Sequence, residues 1–488
     1  MWGQLPYIAK LEKAGIPTVL IDLDDQHEMV KQEALAAGVP NIRYIPASRT
    51  LPGPEDVEVW TEDMLAMLTT PLTEKEKEEG MYTPSQDRIL FEGTLDEAQE
   101  FYQQTRIVPE PLNAPISVYT DGLPIIIPTE ERVAEMLKGT SHKPDEIITF
   151  KSERAGRFDR IQEHSDVVRF QPRLFTATVE KVAINAVMAG CKPEHLPVVL
   201  AIAESGVPTG TTVFNNQWMC LSGPIVKEIG MNSGLGMMGP GNPASMAIGR
   251  AYQLMAINLG GSIPGINRMS SIGTPINRVG LAFAECADKL PPGWKGLNEE
   301  FGFKKDESVI MVMGTEGGLN GAQFSPGGYR ALQKSGHGGM ARKLGVKGIP
   351  GPHNWLDWIV PDIWTGEREG GRVFVMVHEM AYDLYRLGYK SKQEVLEYVW
   401  KKSFEPLKKY RDRSWVDLTT NGWLGNEPLS GKPWKELPDD YMVPAGGSKP
   451  EESCIIVCGS DEEICYEITG SIRGMWGSDP VYSIDAWR

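Results

Sequence analysis

The chemistry in this sequence gathers first in a glycine-rich run, SGPIVKEIGMNSGLGMMGPGNPASMAIGRAYQLMAINLGG, from Ser222 to Gly261. Glycines at 230, 234, 236, 239 and 241 let backbone come close to a ligand. Asn242 followed by Pro243 reads as the cap and first residue of a helix reaching Asn258. A helix start presents free N–H groups and the positive end of the dipole. Asn232, Ser233, Gly241 and Asn242 are therefore candidates to cradle a carboxylate or phosphate. The spacing is neither a Walker loop nor GxGxxG after a strand, which excludes a nucleotide motif. The competing reading is a turn that only lets two helices pack closely.

Two thiols come next. Cys191 stands between the end of one helical segment, which disfavours a thiolate, and Lys192-Pro193 at the start of another, which favours one. Cys220 precedes the glycine-rich run in NNQWMCLSGP, where Asn215, Asn216 and Gln217 are candidate donors. Proton transfer calls for other side chains. Glu316, His378, Glu379 and Asp461 each follow an apolar run of strand character, and His378 beside Glu379 forms a candidate acid/base pair. Neighbouring strand residues point to opposite faces, so only one of that pair is expected to face a site. Cys191, Cys220, His378, Glu379 and Glu316 are thus the candidate catalytic residues. His337 and His353 occur without HxH or HExxH spacing, so neither a metal nor a cofactor is expected.

The elements that would position these residues alternate between helix and strand. Residues 4–14 read as a helix, 15–21 as a buried strand, 28–37 as a helix and 41–45 as a strand. This αβαβ order is that of the rear half of a doubly wound parallel sheet whose opening strand is missing. Residues 51–113 are acidic and broken by prolines, with capping boxes at Thr73/Glu76 and Thr94/Glu97. Val179, Val182, Ala183, Ala186 and Val187, then Leu196, Val199, Leu200 and Ala203, give two packed helices. Strands are expected over 308–314, 372–379 and 453–460, and Ser391/Glu394 opens a further helix. The expected fold is α/β: open doubly wound parallel sheets with a helical insertion and a Gly-rich helical core segment. Its divisions are an incomplete Rossmann-like αβ unit (1–50), a mostly helical acidic insertion (51–114), a core domain with the Gly-rich anion-binding segment (115–305) and a C-terminal α/β domain (306–488).

Composition sets the outer limits. With 488 residues, 41% hydrophobic and 23% charged, the chain is globular and large enough for roughly three domains. A net charge of −16, from 49 basic and 65 acidic residues, opposes binding to nucleic acid or to an anionic membrane. No apolar run is long enough to span a bilayer, and the 6 cysteines form no CxxC pair, so a cytoplasmic protein with reduced thiols is expected.

Four runs taken together resemble the UGSC family of selenocysteine- or cysteine-containing proteins: DGLPIIIPTEERVAEML (121–137), TVEKVAINAVMAGCKPEHLPVVLA (178–201), SGPIVKEIGMNSGLGMMGPGNPASMAIGRA (222–251) and VFVMVHEMAYDLYRLGYKSKQEVLEYVW (373–400). The family takes its name from a Sec/Cys-Gly-Ser-Cys element upstream of the region that LEKAGIPTVLI resembles, and this sequence has no such element. The resemblance implies the large subunit of a hetero-oligomer, with a small partner subunit carrying the Cys/Sec-Gly-Ser-Cys element and docking on residues 1–50. The implied function is thiol- or selenol-dependent chemistry on a small anionic substrate, with reductive cleavage of a carbon–heteroatom bond as the leading reaction. A lyase or hydrolase of a small carboxylate, or a non-catalytic metabolite-binding scaffold, is the alternative.

Overall fold

The computed structural model describes residues 5–24, 27–36, 38–47, 53–77, 88–108, 113–151, 164–208, 217–264, 267–268, 281–314, 346–349, 351, 353–358, 371–413, 425–444, 447–460, 466–469 and 479–488. The chain is of the general α/β class, with about 39% helix and 16% strand among the described residues. It divides into two compact units: Met1–Phe150, Ser165–Asn215 and Arg250–Arg278 form the first, and Lys151–His164, Asn216–Gly249 and Val279–Arg488 the second.

The first unit opens with α1 (Leu5–Lys13), β1 (Leu20–Leu23), α2 (His27–Ala36) and β2 (Tyr44–Ala47), the two strands pairing in parallel. The alternation matches the sequence pattern, but both strands begin later than the apolar runs suggest. Gly15 takes φ +79, and the Thr18 N–H donates to Glu12 Oε1 at 2.6 Å, so residues 15–18 are used to close α1. Ala9, Leu20, Val30, Ala34 and Val39 make the small core beneath.

Further along lie α3 (Pro54–Thr69), α4 (Leu95–Tyr102), the antiparallel pair β3 (Thr105–Val108) and β4 (Ala114–Ser117), α5 (Glu130–Leu137), α6 (Val179–Ala189) and α7 (Leu196–Glu204). Thr94 and Glu97 cap α4 reciprocally, as the sequence signals. Thr73 and Glu76 exchange the same bonds around a turn instead of a helix. In α6 the residues at helical spacing are all buried, and in α7 every residue is.

The second unit holds the larger sheets. One has the order β13-β7-β5-β6, from β5 (Gln217–Ser222), β6 (Leu281–Ala284), β7 (Val309–Gly314) and β13 (Val481–Ser483). The other is β11-β8-β12, from β8 (Val373–Met376), β11 (Cys454–Val457) and β12 (Tyr466–Thr469); β9 (Glu405–Pro406) and β10 (Met442–Val443) form a short separate pair. The sheets are mixed, not uniformly parallel. β5–β6 and β8–β11 are parallel, whereas β7 and β13 run antiparallel to their neighbours and β12 runs against β8. Each parallel pair follows a long helical crossover, as parallel pairing requires: α8 (Ile225–Glu228) and α9 (Pro243–Asn258) lie between β5 and β6. Between β8 and β11 come α11 (His378–Arg386), α12 (Lys392–Lys402) and α13 (Leu407–Arg413), while α10 (Leu297–Glu300) follows β6. One core joins Trp218, Cys220, Phe283, Met311, Val375 and Cys454. Among the described residues, no helix is long and apolar enough to cross a membrane.

Candidate functional site

Within the second unit the carboxyl ends of three strands come together. After β6 the chain continues into Glu285 and Cys286, and the Cys286 N–H donates to the Val457 carbonyl at the end of β11, 2.8 Å away. Ser233, in the glycine-rich run, closes the group with its carbonyl: it accepts from the Gly459 N–H at 2.7 Å and from the Cys286 thiol at 2.8 Å. Gly459 is held at φ +79, and a Cβ added there would stand 3.1 Å from Val377 Cγ1. The turn after β11 thus lies against the residue that precedes His378.

His378 and Glu379 are not strand residues. Val377 caps a helix, and α11 starts at His378, so the opposed-face argument fails: consecutive helical residues diverge by about 100° instead of 180°. Both side chains then reach each other, with His378 Nε2 2.8 Å from Glu379 Oε1. His378 Nδ1 and both Glu379 oxygens are shut off from solvent and accept or donate no hydrogen bond among the described residues. Of these, Oε1 has its ion-pair contact with Nε2, whereas Nδ1 and Oε2 have no polar partner among the described residues, which is unusual because buried polar groups are nearly always paired. Together the two side chains can hold and pass a proton, beside first-turn N–H groups that have no acceptor within their own helix.

Behind this edge is a clamp that the sequence does not announce. Glu285 is fully buried and uses both oxygens: Oε1 takes Lys392 Nζ at 2.9 Å, and Oε2 takes the Ser222 hydroxyl and the Leu297 N–H, each at 2.7 Å. Lys392, 1% exposed, also lies 3.4 Å from Glu300. Burial alone would lower its pKa, but the Glu285 and Glu300 carboxylates more than reverse that and hold the ammonium charged.

The glycine-rich run is partly closed on itself. Asn242 caps α9 as its type suggests, its Oδ1 accepting from the Ser245 N–H at 2.9 Å, while its Nδ2 donates to the Gly230 carbonyl at 3.0 Å. Asn232 accepts from the Gly234 N–H and donates to the Leu235 carbonyl. Both amides are therefore turned to their own loop, and what remains for an anion is backbone, including the exposed Gly241 at φ +106. An Asn242→Asp exchange would set a carboxylate against the Gly230 carbonyl, so it disturbs the loop whether or not an anion binds.

The candidate thiols lie elsewhere. Cys191, in the first unit, follows the left-handed Gly190 that ends α6; its residue is half-buried, but protein encloses the thiol and pushes its pKa well up. Burial outweighs the opposed helix ends invoked from sequence. Cys220 is fully buried in central strand β5, where burial and then the Glu285 carboxylate raise its pKa strongly. Iodoacetamide at pH 7 is accordingly expected to label neither quickly until urea unfolds the chain. Fast loss of either thiol in the native protein, followed by mass spectrometry, would contradict this assignment.

Glu316, Asp461, His337, Asn215 and Asn216 lie outside the described residues, and His353 is exposed. Among the described residues no group of three or more His, Cys, Asp or Glu side chains is arranged to hold a metal ion. Of the residues that sequence reasoning missed, Glu285 and Cys286 are signalled only by LAFAEC, a short apolar run ending in an acid and a thiol, and Lys392 has no local signal. No protein-family model, no curated protein and no solved structure matches this chain, and the likeness drawn from its sequence rests on the quoted runs alone.

Proposed function

We propose that this chain is the large subunit of a hetero-oligomeric enzyme of UGSC kinship, in which a partner's thiol or selenol acts on a small anionic substrate held at the carboxyl edge of the second unit. The observation that carries the reading is the His378–Glu379 pair, with its enclosed polar atoms that a substrate group would satisfy. The Cys286–Val457 hydrogen bond supports reading the two larger sheets as halves of one open sheet, and ligands bind such sheets beyond the strand ends. The protonated state of Cys191 and Cys220 supports a nucleophile supplied by the partner.

The reaction that fits is reductive cleavage of a carbon–heteroatom bond. Two electrons come from a pair of thiols, or a thiol and a selenol, which ends joined as a disulfide or selenosulfide. The carbon–heteroatom bond breaks, carbon takes one proton and the departing heteroatom takes the other. His378 delivers the second of these, and Glu379 holds the imidazolium in place while it does so.

The test is a native purification followed by an assay of dithiol consumption against small carboxylates bearing an α-amino, α-hydroxy or α-thio group. A co-purifying chain with the Cys/Sec-Gly-Ser-Cys element, and oxidation of dithiol only when one substrate is present, are expected. Full turnover by this chain alone, or a complex without such a chain, would overturn the proposal.

A further inference from the structure

The chain leaving α9 doubles back on the helix and carries two polar groups that the first unit does not use. The Ser262 N–H donates to the Ala256 carbonyl at 2.9 Å, and the Asn267 side chain fixes the turn, accepting from the Ile263 N–H at 2.7 Å and donating to the Gly261 carbonyl at 2.9 Å. The Asn267 and Arg268 N–H groups then both donate to the Ile263 carbonyl, each at 3.1 Å. Ser262 has no exposed surface, yet its hydroxyl makes no hydrogen bond among the described residues. Arg268 is the second such group. Its guanidinium is enclosed deeply enough for burial to lower its pKa, and among the described residues only the Tyr252 phenol acts on it electrostatically. That phenol is neutral at pH 7 and donates to the Pro208 carbonyl, so it supplies no counter-charge. No carboxylate and no hydrogen-bond acceptor holds the guanidinium among the described residues.

We infer that Arg268 and Ser262 hold a small carboxylate in the first unit. An arginine cannot relieve its burial by losing a proton, and an enclosed cation without an anion is costly, so the position calls for a negative charge. Tyr252 and Ala256 stand four residues apart on one face of α9, which brings Arg268 and Ser262 to adjacent turns of the same stripe. The planar fork of a guanidinium matches both oxygens of a carboxylate, and the serine hydroxyl is a further donor to the same group. One cation balances one negative charge. A phosphate dianion would leave an excess charge enclosed, which selects the carboxylate. Arg268 keeps part of its surface open to solvent, which gives the ligand a way in. The site is separate from the His378–Glu379 edge, which belongs to the second unit.

The probe is sodium acetate, titrated into the full chain and followed by hydrogen exchange at the Ser262 and Ile263 amides. Sodium chloride and sodium phosphate at matched ionic strength are the controls. Acetate is expected to slow exchange there saturably, and neither control should do so. Arg268→Met is expected to weaken acetate at least about tenfold and Ser262→Ala about three- to tenfold, the ranges for losing a charged and a neutral hydrogen bond. Thermal melting gives a second readout. Without acetate, Arg268→Met should melt no lower than wild type, because it removes an enclosed charge that has no partner. With acetate in excess, wild type should gain stability and Arg268→Met should not. An arginine needed only for the fold gives the opposite sign: Arg268→Met would then melt well below wild type with or without acetate, and the inference would be overturned. So would an equal effect of chloride, tighter binding of phosphate, an acetate effect that never saturates, or one that survives both variants. Neither the partner nor turnover enters the measurement, so failure here leaves the proposed reaction standing.

Discussion

Replacing His378 by Gln in the assembled enzyme is expected to lower kcat by about 10²–10⁴-fold, the range for losing a positioned acid or base. The melting temperature should barely move. The side chain is on the first helical position of α11, and among the described residues its Nδ1 makes no hydrogen bond, so the exchange deletes no bond through that atom to any of them. Glu379→Gln should show a similar fall in kcat, because the carboxylate 2.8 Å from Nε2 that positions the imidazole is replaced by a neutral amide. Its stability cost should be a few tenths of a kcal/mol, from losing a negative charge in the first turn of a helix. The split between kcat and KM is diagnostic: a proton donor affects the chemical step, so KM should change little. Steady-state turnover within tenfold of wild type for both variants would remove the pair from the mechanism.

Lys392→Met should be among the most destabilising single exchanges in the second unit, at about 3–5 kcal/mol. The variant leaves Glu285, which has no exposed surface, with an uncompensated charge. The favourable hydrogen bonds from Ser222 and Leu297 keep the carboxylate in place instead of releasing it to water. Hydrogen exchange at the β5 amides would report the loss without requiring the two units to melt together. The pH dependence gives an independent check. Lys392 has a pKa raised on folding, so its contribution is complete below the unfolded lysine value of about 10.4 and is lost as pH climbs through the higher folded value. Wild type should therefore lose protection in that alkaline window, and Lys392→Met should lack this component. Equal exchange rates in the two proteins would show that the pair contributes nothing.

What could be read in advance followed from local signals. Thr94 with Glu97, Ser391 with Glu394 and Asn242 before Pro243 all open helices, because a side-chain cap is a bond made within four residues. The carboxyl-end location of His378 was legible from the apolar run before it, although the strand there stops three residues early and turns helical. β5 was not legible: Trp218, Met219, Cys220 and Leu221 are all buried, so a central strand loses the alternation that identifies strands. Nor could sequence place Glu285 opposite Lys392. Long-range pairs leave no local trace, and a capping box describes the start of α12 without revealing that its first residue reaches into the core.

The Glu285 clamp also constrains the order in which the second unit can assemble. Its carboxylate gathers a hydroxyl 63 residues upstream and an ammonium 107 residues downstream. On the ribosome, β5 and β6 emerge long before Lys392 does, and closing them around an ionised carboxylate without its counter-charge is costly. The sheet that carries Cys220 is therefore less stable until α12 has been synthesised. A chain cut short anywhere between residues 300 and 392 would hold every strand of the β5–β6 pair and would close it only at a cost of about 3–5 kcal/mol.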